Sequence, residues 1–299
     1  MKFGRTTTAL LLAYLCSNIE IVNGDEISQD DYNPDDEAPL QIAEEILIRI
    51  SSNEDESDVL PVVLPDGGKQ YKITKPGSSY ISAHFANFDL DPKCSMELAD
   101  DNGGQVTIMH KRGRENLGTF WGHHVEGDTM IMTLRCDEED LKADFSIDEY
   151  AAGYPDGHPA TENRKRGLRG GEDLSFPPVK RDLSICTAND KQNAKCYESS
   201  YPTEYTKAKA VARLVVNGMY GCTGWLVGPN NLLLTNYHCI KTTADAMNTD
   251  FQFMFEGASC DSDQITNSET YDALTLIKSD SVRDYSLIQL DGDAVTKYG

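Results

Sequence analysis

Two side chains in the last third of this sequence are of the kinds that move protons. His238 ends the run Leu232-Leu233-Leu234-Thr235-Asn236-Tyr237-His238, and Asp284 opens Asp284-Tyr285-Ser286-Leu287-Ile288-Gln289-Leu290. An imidazole gains and loses its proton near pH 7, so it can take a proton from a weakly acidic hydroxyl and hand it to a leaving amine. A carboxylate beside it would fix the tautomer and stabilise the imidazolium. A lone histidine at a strand end is more often exposed or satisfied, so its surroundings decide. Cys239 follows it directly, and Cys222 stands where one bridge could tie the two runs.

Strands must position these groups. Gly221 to Val227 and Leu232 to His238 read as two buried strands joined by a Pro229-Asn230-Asn231 turn. Gly224 would let neighbouring backbone approach closely. Ala210 to Val216 reads as a strand ahead of the Gly218-Met219-Tyr220 turn, and Phe251 to Phe255 as another.

From Cys186 onward these motifs resemble trypsin-like (chymotrypsin-fold) serine proteases, most closely the lysyl endopeptidase-type branch. The resemblance implies that His238 is the general base and Asp284 its orienting carboxylate, in the chain order His, Asp, then Ser. It implies bridges Cys222–Cys239 and Cys196–Cys260, with Cys186 left to pair outside this sequence. It covers about residues 183–299, the first of the family's two β-barrels. No Gly-Asp-Ser-Gly-like motif follows: Ser259, Ser262, Ser268, Ser279, Ser281 and Ser286 all lack the flanking glycines of an oxyanion hole. The expectation is a secreted serine endopeptidase represented by a C-terminally incomplete chain, inactive alone. The alternative is a catalytically inactive secreted homologue that acts as a binding or inhibitor protein.

Composition narrows the partners. Lys plus Arg number 27 against 49 Asp plus Glu, a formal charge of -22. Phosphate binding needs clustered cations, so nucleic acid is excluded as a partner and a polypeptide substrate or inhibitor is expected. Lys2 and Arg5 ahead of the apolar Thr8 to Leu15, with small Gly24 closing the segment, read as a secretory signal over 1–24. Export makes the remaining cysteines disulfide partners, and no membrane contact is expected after signal removal.

The fold class expected is all-β: an N-terminal β-sandwich followed by the first barrel of a chymotrypsin-like double barrel. Residues 25–60 read as an acidic arm or propeptide, with Ile42, Ile46, Leu47 and Ile50 at helical spacing. Residues 61–147 read as the sandwich, with Cys94–Cys136 as a natural bridge. Residues 148–182 read as a Pro/Gly/basic linker, whose Arg164-Lys165-Arg166 and Lys180-Arg181 suggest processing. Arg166-Gly167-Leu168-Arg169 has the form of a translocation motif but lies deep in the chain. His123 and His124, with His110, Glu126 and Asp128 near, bring a metal to mind. Adjacent strand residues face opposite ways, so surface histidines are expected there, with no metal and no cofactor.

Overall fold

The computed structural model describes residues 39–138, 141–155, 158, 160, 192–262, 265 and 268–299. The signal segment, the acidic arm up to residue 38, both basic clusters, the Arg166–Arg169 motif and Cys186 lie outside the described residues. The fold is all-β, built of antiparallel sheets and a half-barrel. The first strands are β1 (Leu40–Gln41), β2 (Ala43–Ser51), β3 (Val62–Val63), β4 (Lys69–Thr74), β5 (Tyr80–Leu90), β6 (Cys94–Asp100), β7 (Val106–Met109), β8 (Phe120–Trp121), β9 (Val125–Glu126), β10 (Thr129–Cys136) and β11 (Ala143–Gly153). After them come β12 (Val211–Val216), β13 (Tyr220–Val227), β14 (Leu232–Thr235), β15 (Thr249–Phe253), β16 (Glu269–Tyr271), β17 (Ala273–Asp280) and β18 (Tyr285–Leu290).

Two five-stranded sheets face each other in the first lobe. One has the order β3-β4-β10-β6-β7; the other is β2-β11-β5-β8, with β9 also on β5. Tyr71, Phe85, Phe88, Met96, Phe120, Met130 and Phe145 fill the space between them. Cys94 pairs with Cys136 across β6 and β10, and the two form a disulfide.

The helical spacing read at residues 42–50 is overturned: these residues form β2 and the chain leading into it. Ile46, Ile48 and Ile50 repeat at every second position and turn inward, while Leu47 and Arg49 face water. β-Branched residues suit a pleat, and β11 supplies partners that an isolated short helix lacks, with Ile50 opposite Ile147 and Ile46 opposite Tyr150. The strands of this lobe therefore run over residues 43–153, taking in part of the expected arm and the start of the expected linker.

The second lobe is one eight-stranded sheet of order β16-β15-β12-β13-β14-β18-β17, with β1 added beside β13. Leu214, Leu233, Ile240, Phe251, Phe253 and Ile288 form its core. β13 is less buried than its sequence suggested, and Trp225 is 42% exposed. Among the described residues three short α-helices accompany the sheet: α1 (Pro202–Ala208), α2 (Thr243–Met247) and α3 (Ala294–Tyr298). No helix among the described residues is long and apolar enough to cross a membrane.

β15 reads Thr-Asp-Phe-Gln-Phe and is buried on both faces. Phe251 and Phe253 enter the half-barrel core, while Asp250 and Gln252 turn to the sandwich. Asp250 is 2% exposed and receives three cationic side chains: Arg114 Nη2 at 2.9 Å, His123 Nδ1 at 2.9 Å and His124 Nδ1 at 2.6 Å. Arg114 also donates to Asp272 and to the Thr249 carbonyl. The expectation of surface histidines facing opposite ways fails here. Residues 122–124 lie between β8 and β9 without strand geometry, so alternation does not apply and both rings reach one carboxylate. Around the ions, Tyr80, Trp121, Ala151, Val215 and Met219 form a small apolar cluster of their own.

Burial and the nearby Arg114 work against a charge on His123, but Asp250 and Asp272 outweigh them and push its pKa up to about 9. Burial likewise opposes the Asp250 carboxylate, and Arg114 and the two histidines hold its pKa well below the ordinary value. A raised pKa stabilises fully below the unfolded histidine value of about 6.5 and is lost as pH rises through about 9. The deficit in thermal stability of His123→Gln should therefore shrink between pH 7 and pH 10; a deficit constant over that range contradicts this account. Asp250→Asn, which strands buried cations, should cost about 3–5 kcal/mol in denaturant unfolding.

Candidate active site

The register of one strand pair assembles the site. β14 runs antiparallel to β18 with Thr235 opposite Ser286, so the residues leaving β14 pass beside the residue entering β18. Those residues are Asn236 to His238 and Asp284. The turn after β14 is closed by the N–H groups of Cys239 and Ile240 donating to the Asn236 carbonyl. Ser286, fully buried, donates to the Ile240 carbonyl at 2.6 Å and ties the two segments together.

His238 and Asp284, read apart in the sequence, are brought into direct contact. The ring Nδ1 lies 2.9 Å from Asp284 Oδ2 and 3.1 Å from Oδ1. The His238 backbone N–H donates to Oδ1 at 3.0 Å, so one carboxylate holds both the ring and the main chain of the same residue. Asn236 completes the set by donating its amide to Oδ2 at 2.9 Å. Asp284 does this from φ +49°, a left-handed conformation that few residues other than glycine adopt without local support. Burial raises the pKa of Asp284, but the His238 N–H, the His238 ring and the Asn236 amide outweigh it and hold it below the ordinary carboxylate value. With the Nδ1 proton directed at a carboxylate, a second proton taken up by the ring goes to Nε2.

Neighbouring backbone fixes this corner from behind. Cys222 of β13 and Cys239 form a disulfide one residue past the histidine. Thr235 donates to the Thr223 carbonyl at 2.8 Å. A Cβ at Gly224 would stand 2.5 Å from Leu233 Cδ2 and 3.1 Å from the Leu234 carbonyl oxygen, so the close approach of β13 and β14 favours a glycine there. Cys196 and Cys260 form the bridge that the family resemblance implied. Asn236 was missed in the sequence, where its only signal is its place two residues before the histidine.

Three groups of potential metal ligands occur among the described residues. Cys222 and Cys239 flank His238, but their sulfurs are bonded to each other and are not available as thiolates. Beside His123, Asp250 and Asp272, the guanidinium of Arg114 already supplies the cation. The third group, His84, Asp148 and Glu149, sits on the outer face of the sandwich. There Asp148 is mostly exposed and Nδ1 of His84 lies 2.7 Å from its Oδ1.

Comparison with known proteins bears on the same part of the chain. Residues 187–298 match the family described as lysyl endopeptidase, C-terminal domain. This part of the chain, less than half of it, is thus related to that peptidase domain, and the protein is protease-related. A curated relative is secreted RxLR effector protein 73 of Plasmopara viticola, 27% identical over 239 residues, or 77% of this chain. The chain spans 56% of that relative's length. Among solved structures, an exo-β-1,3-galactanase from Phanerochaete chrysosporium has a TM-score of 0.19 and 14% identity, over 40% of this chain and 28% of that one. A cycloisomaltooligosaccharide glucanotransferase from Paenibacillus sp. also has a TM-score of 0.19, with 10% identity over 86% of this chain and 43% of that one. Scores this low carry no argument about fold or activity.

The Cys222–Cys239 bridge closes a segment of sequence separation 17. Replacing both cysteines by serine should cost about 3 kcal/mol of stability through the unfolded chain. Denaturant unfolding of the double variant measures this, and an unchanged midpoint would show that the bridge does not hold this corner.

Proposed function

We propose that the half-barrel carries the base-bearing half of the catalytic site of a secreted serine endopeptidase. The observation behind this reading is the doubly held pair: Asp284 accepts from the backbone N–H of His238 at 3.0 Å and contacts its ring at 2.9 Å. In this reading His238 is the general base. Its Nε2 takes the proton of a serine hydroxyl as the oxygen attacks a peptide carbonyl, then returns it to the leaving amine. Asp284 keeps the tautomer that leaves Nε2 basic and stabilises the imidazolium while it exists. Asn236 keeps the carboxylate aimed. No serine after His238 in this sequence has the flanking glycines of an oxyanion-hole motif, and this reading assigns the nucleophile to none of them. An extracellular site of action is supported by the three disulfides among the described residues and by the secreted relative.

A second reading has its own support. The match to the effector covers 239 residues, more than either lobe holds, so it spans both. Arg166-Gly167-Leu168-Arg169 also spells the R-x-L-R pattern in that relative's name. In this reading the protein is a secreted homologue without catalysis that binds a polypeptide such as a protease or an inhibitor.

One experiment separates the two. The complete coding sequence, with whatever follows the Gly299 codon, is expressed with its own signal, and the secreted product is treated with a fluorophosphonate probe and a peptide substrate. The first reading expects labelling and hydrolysis, both reduced at least about a thousandfold by His238→Ala. The 299-residue chain alone should hydrolyse nothing. A complete product that neither labels nor cleaves ends the endopeptidase reading and leaves the binding one.

A further inference from the structure

We infer that the sandwich is a permanent, non-covalent subunit of the half-barrel: cutting the chain between the two lobes leaves them bound to each other. This goes beyond the proposed function and does not depend on it.

The first ground is a strand donated across the joint. β1 belongs by sequence to the entry of the sandwich, yet it pairs with β13, Leu40 opposite Gly221 and Gln41 opposite Tyr220. Ile42 continues the contact, donating its N–H to the Met219 carbonyl at 2.9 Å, and from Ala43 the chain is in β2. The half-barrel sheet thus has a piece of the first lobe hydrogen-bonded into it, as in strand-addition complexes.

The second ground is electrostatic. Asp250 of the half-barrel finds its cationic partners Arg114, His123 and His124 on the sandwich, and the Arg114 and Asp250 side chains are 2% and 3% exposed. Parting the lobes would leave Asp250 and Asp272 without Arg114, and Arg114 without either carboxylate. Removing one side of such a buried pair is strongly unfavourable. Neutral hydrogen bonds run the same way: Tyr80 Oη donates to the Gly218 carbonyl at 2.9 Å, and the Trp121 backbone N–H donates to Asn248 Oδ1 at 2.8 Å.

The third ground is close packing. Gly218, at φ +63°, lies so near Trp121 that an added Cβ would stand 2.7 Å from the indole Cε3. Val215 and Met219 of the half-barrel and Tyr80 and Trp121 of the sandwich share one buried apolar cluster.

None of these contacts needs the connecting segment. Tyr154 is held in place by Ser79 and Ile42. Asn193 is held by Ser262, Lys195 and Gly257 of the half-barrel. Each disulfide among the described residues lies within one lobe, so no covalent bond there joins them. Processing at a basic site between the lobes would therefore make a two-chain protein and would not release a propeptide.

The test uses the full secreted chain with one site-specific protease sequence placed within residues 161–185. After complete cutting, gel filtration at micromolar concentration and neutral pH should give one peak containing both pieces in equal amounts. A denaturing gel without reductant should show two bands. Two separate peaks overturn the inference, and so does a single band that only reductant resolves. Asp250→Asn, nearly isosteric, should weaken the association of the cut pieces at least tenfold. Unchanged association in that variant would overturn the role assigned to the carboxylate.

Discussion

Asp250 has almost no contact with water, and the arrangement of the molecule follows from what that requires. An unpaired carboxylate in such a place is unstable, so it must be surrounded by cations and donors. Those it has, Arg114, His123 and His124, come from the other lobe, and the backbone N–H of His124 adds a fourth contact at 2.9 Å. Once these groups converge, the sandwich has one position on the half-barrel. Tyr80, edge-on to the His124 ring, shares one buried apolar cluster with Trp121, Val215 and Met219. His124 Nε2 lies 3.3 Å from Glu126 Oε1, off the line of a good hydrogen bond, so the charges balance more completely than the hydrogen bonds do.

The candidate catalytic pair depends on a different device. His238 and Asp284 sit at the ends of adjacent antiparallel strands, and the pairing of Thr235 with Ser286 sets their separation. The disulfide at Cys239 and the buried Ser286 hydroxyl stiffen the same corner. The carboxylate is committed to the histidine's backbone as well as its ring, so the ring is aimed by main-chain geometry more than by its own torsions. Such rigid support suits a base that must meet a nucleophile at hydrogen-bond distance. Among the described residues the two devices draw on separate side chains, so the lobe joint and the His–Asp pair can be perturbed independently.

Much of the half-barrel was legible along the chain. Apolar runs separated by turn residues marked β12, β13, β14 and β15, and His238 and Asp284 stood out by residue type and by the runs that hold them. In the sandwich, the Cys94–Cys136 bridge was legible and is formed. Legibility failed at β2, because Ile42, Ile46, Leu47 and Ile50 also satisfy a helical period and only pairing with β11 excludes it. Asn236 gave no signal, since its amide matters only through a carboxylate 48 positions away.

The sequence by itself determined the all-β class, the Cys94–Cys136 bridge of the sandwich, two further cysteine pairs through family resemblance, and the residue types able to move a proton. These are local or near-local properties: side-chain periodicity, turn chemistry and short motifs. Only the tertiary structure decided that His123 and His124 meet on Asp250, that β1 joins the second lobe's sheet, and that a sandwich caps the half-barrel. The Thr-Asp-Phe-Gln-Phe run of β15 shows an ordinary alternation whose polar side reads as solvent-facing. Its burial needs partners more than a hundred residues away, and charge complementarity across that distance leaves no periodic trace in either segment.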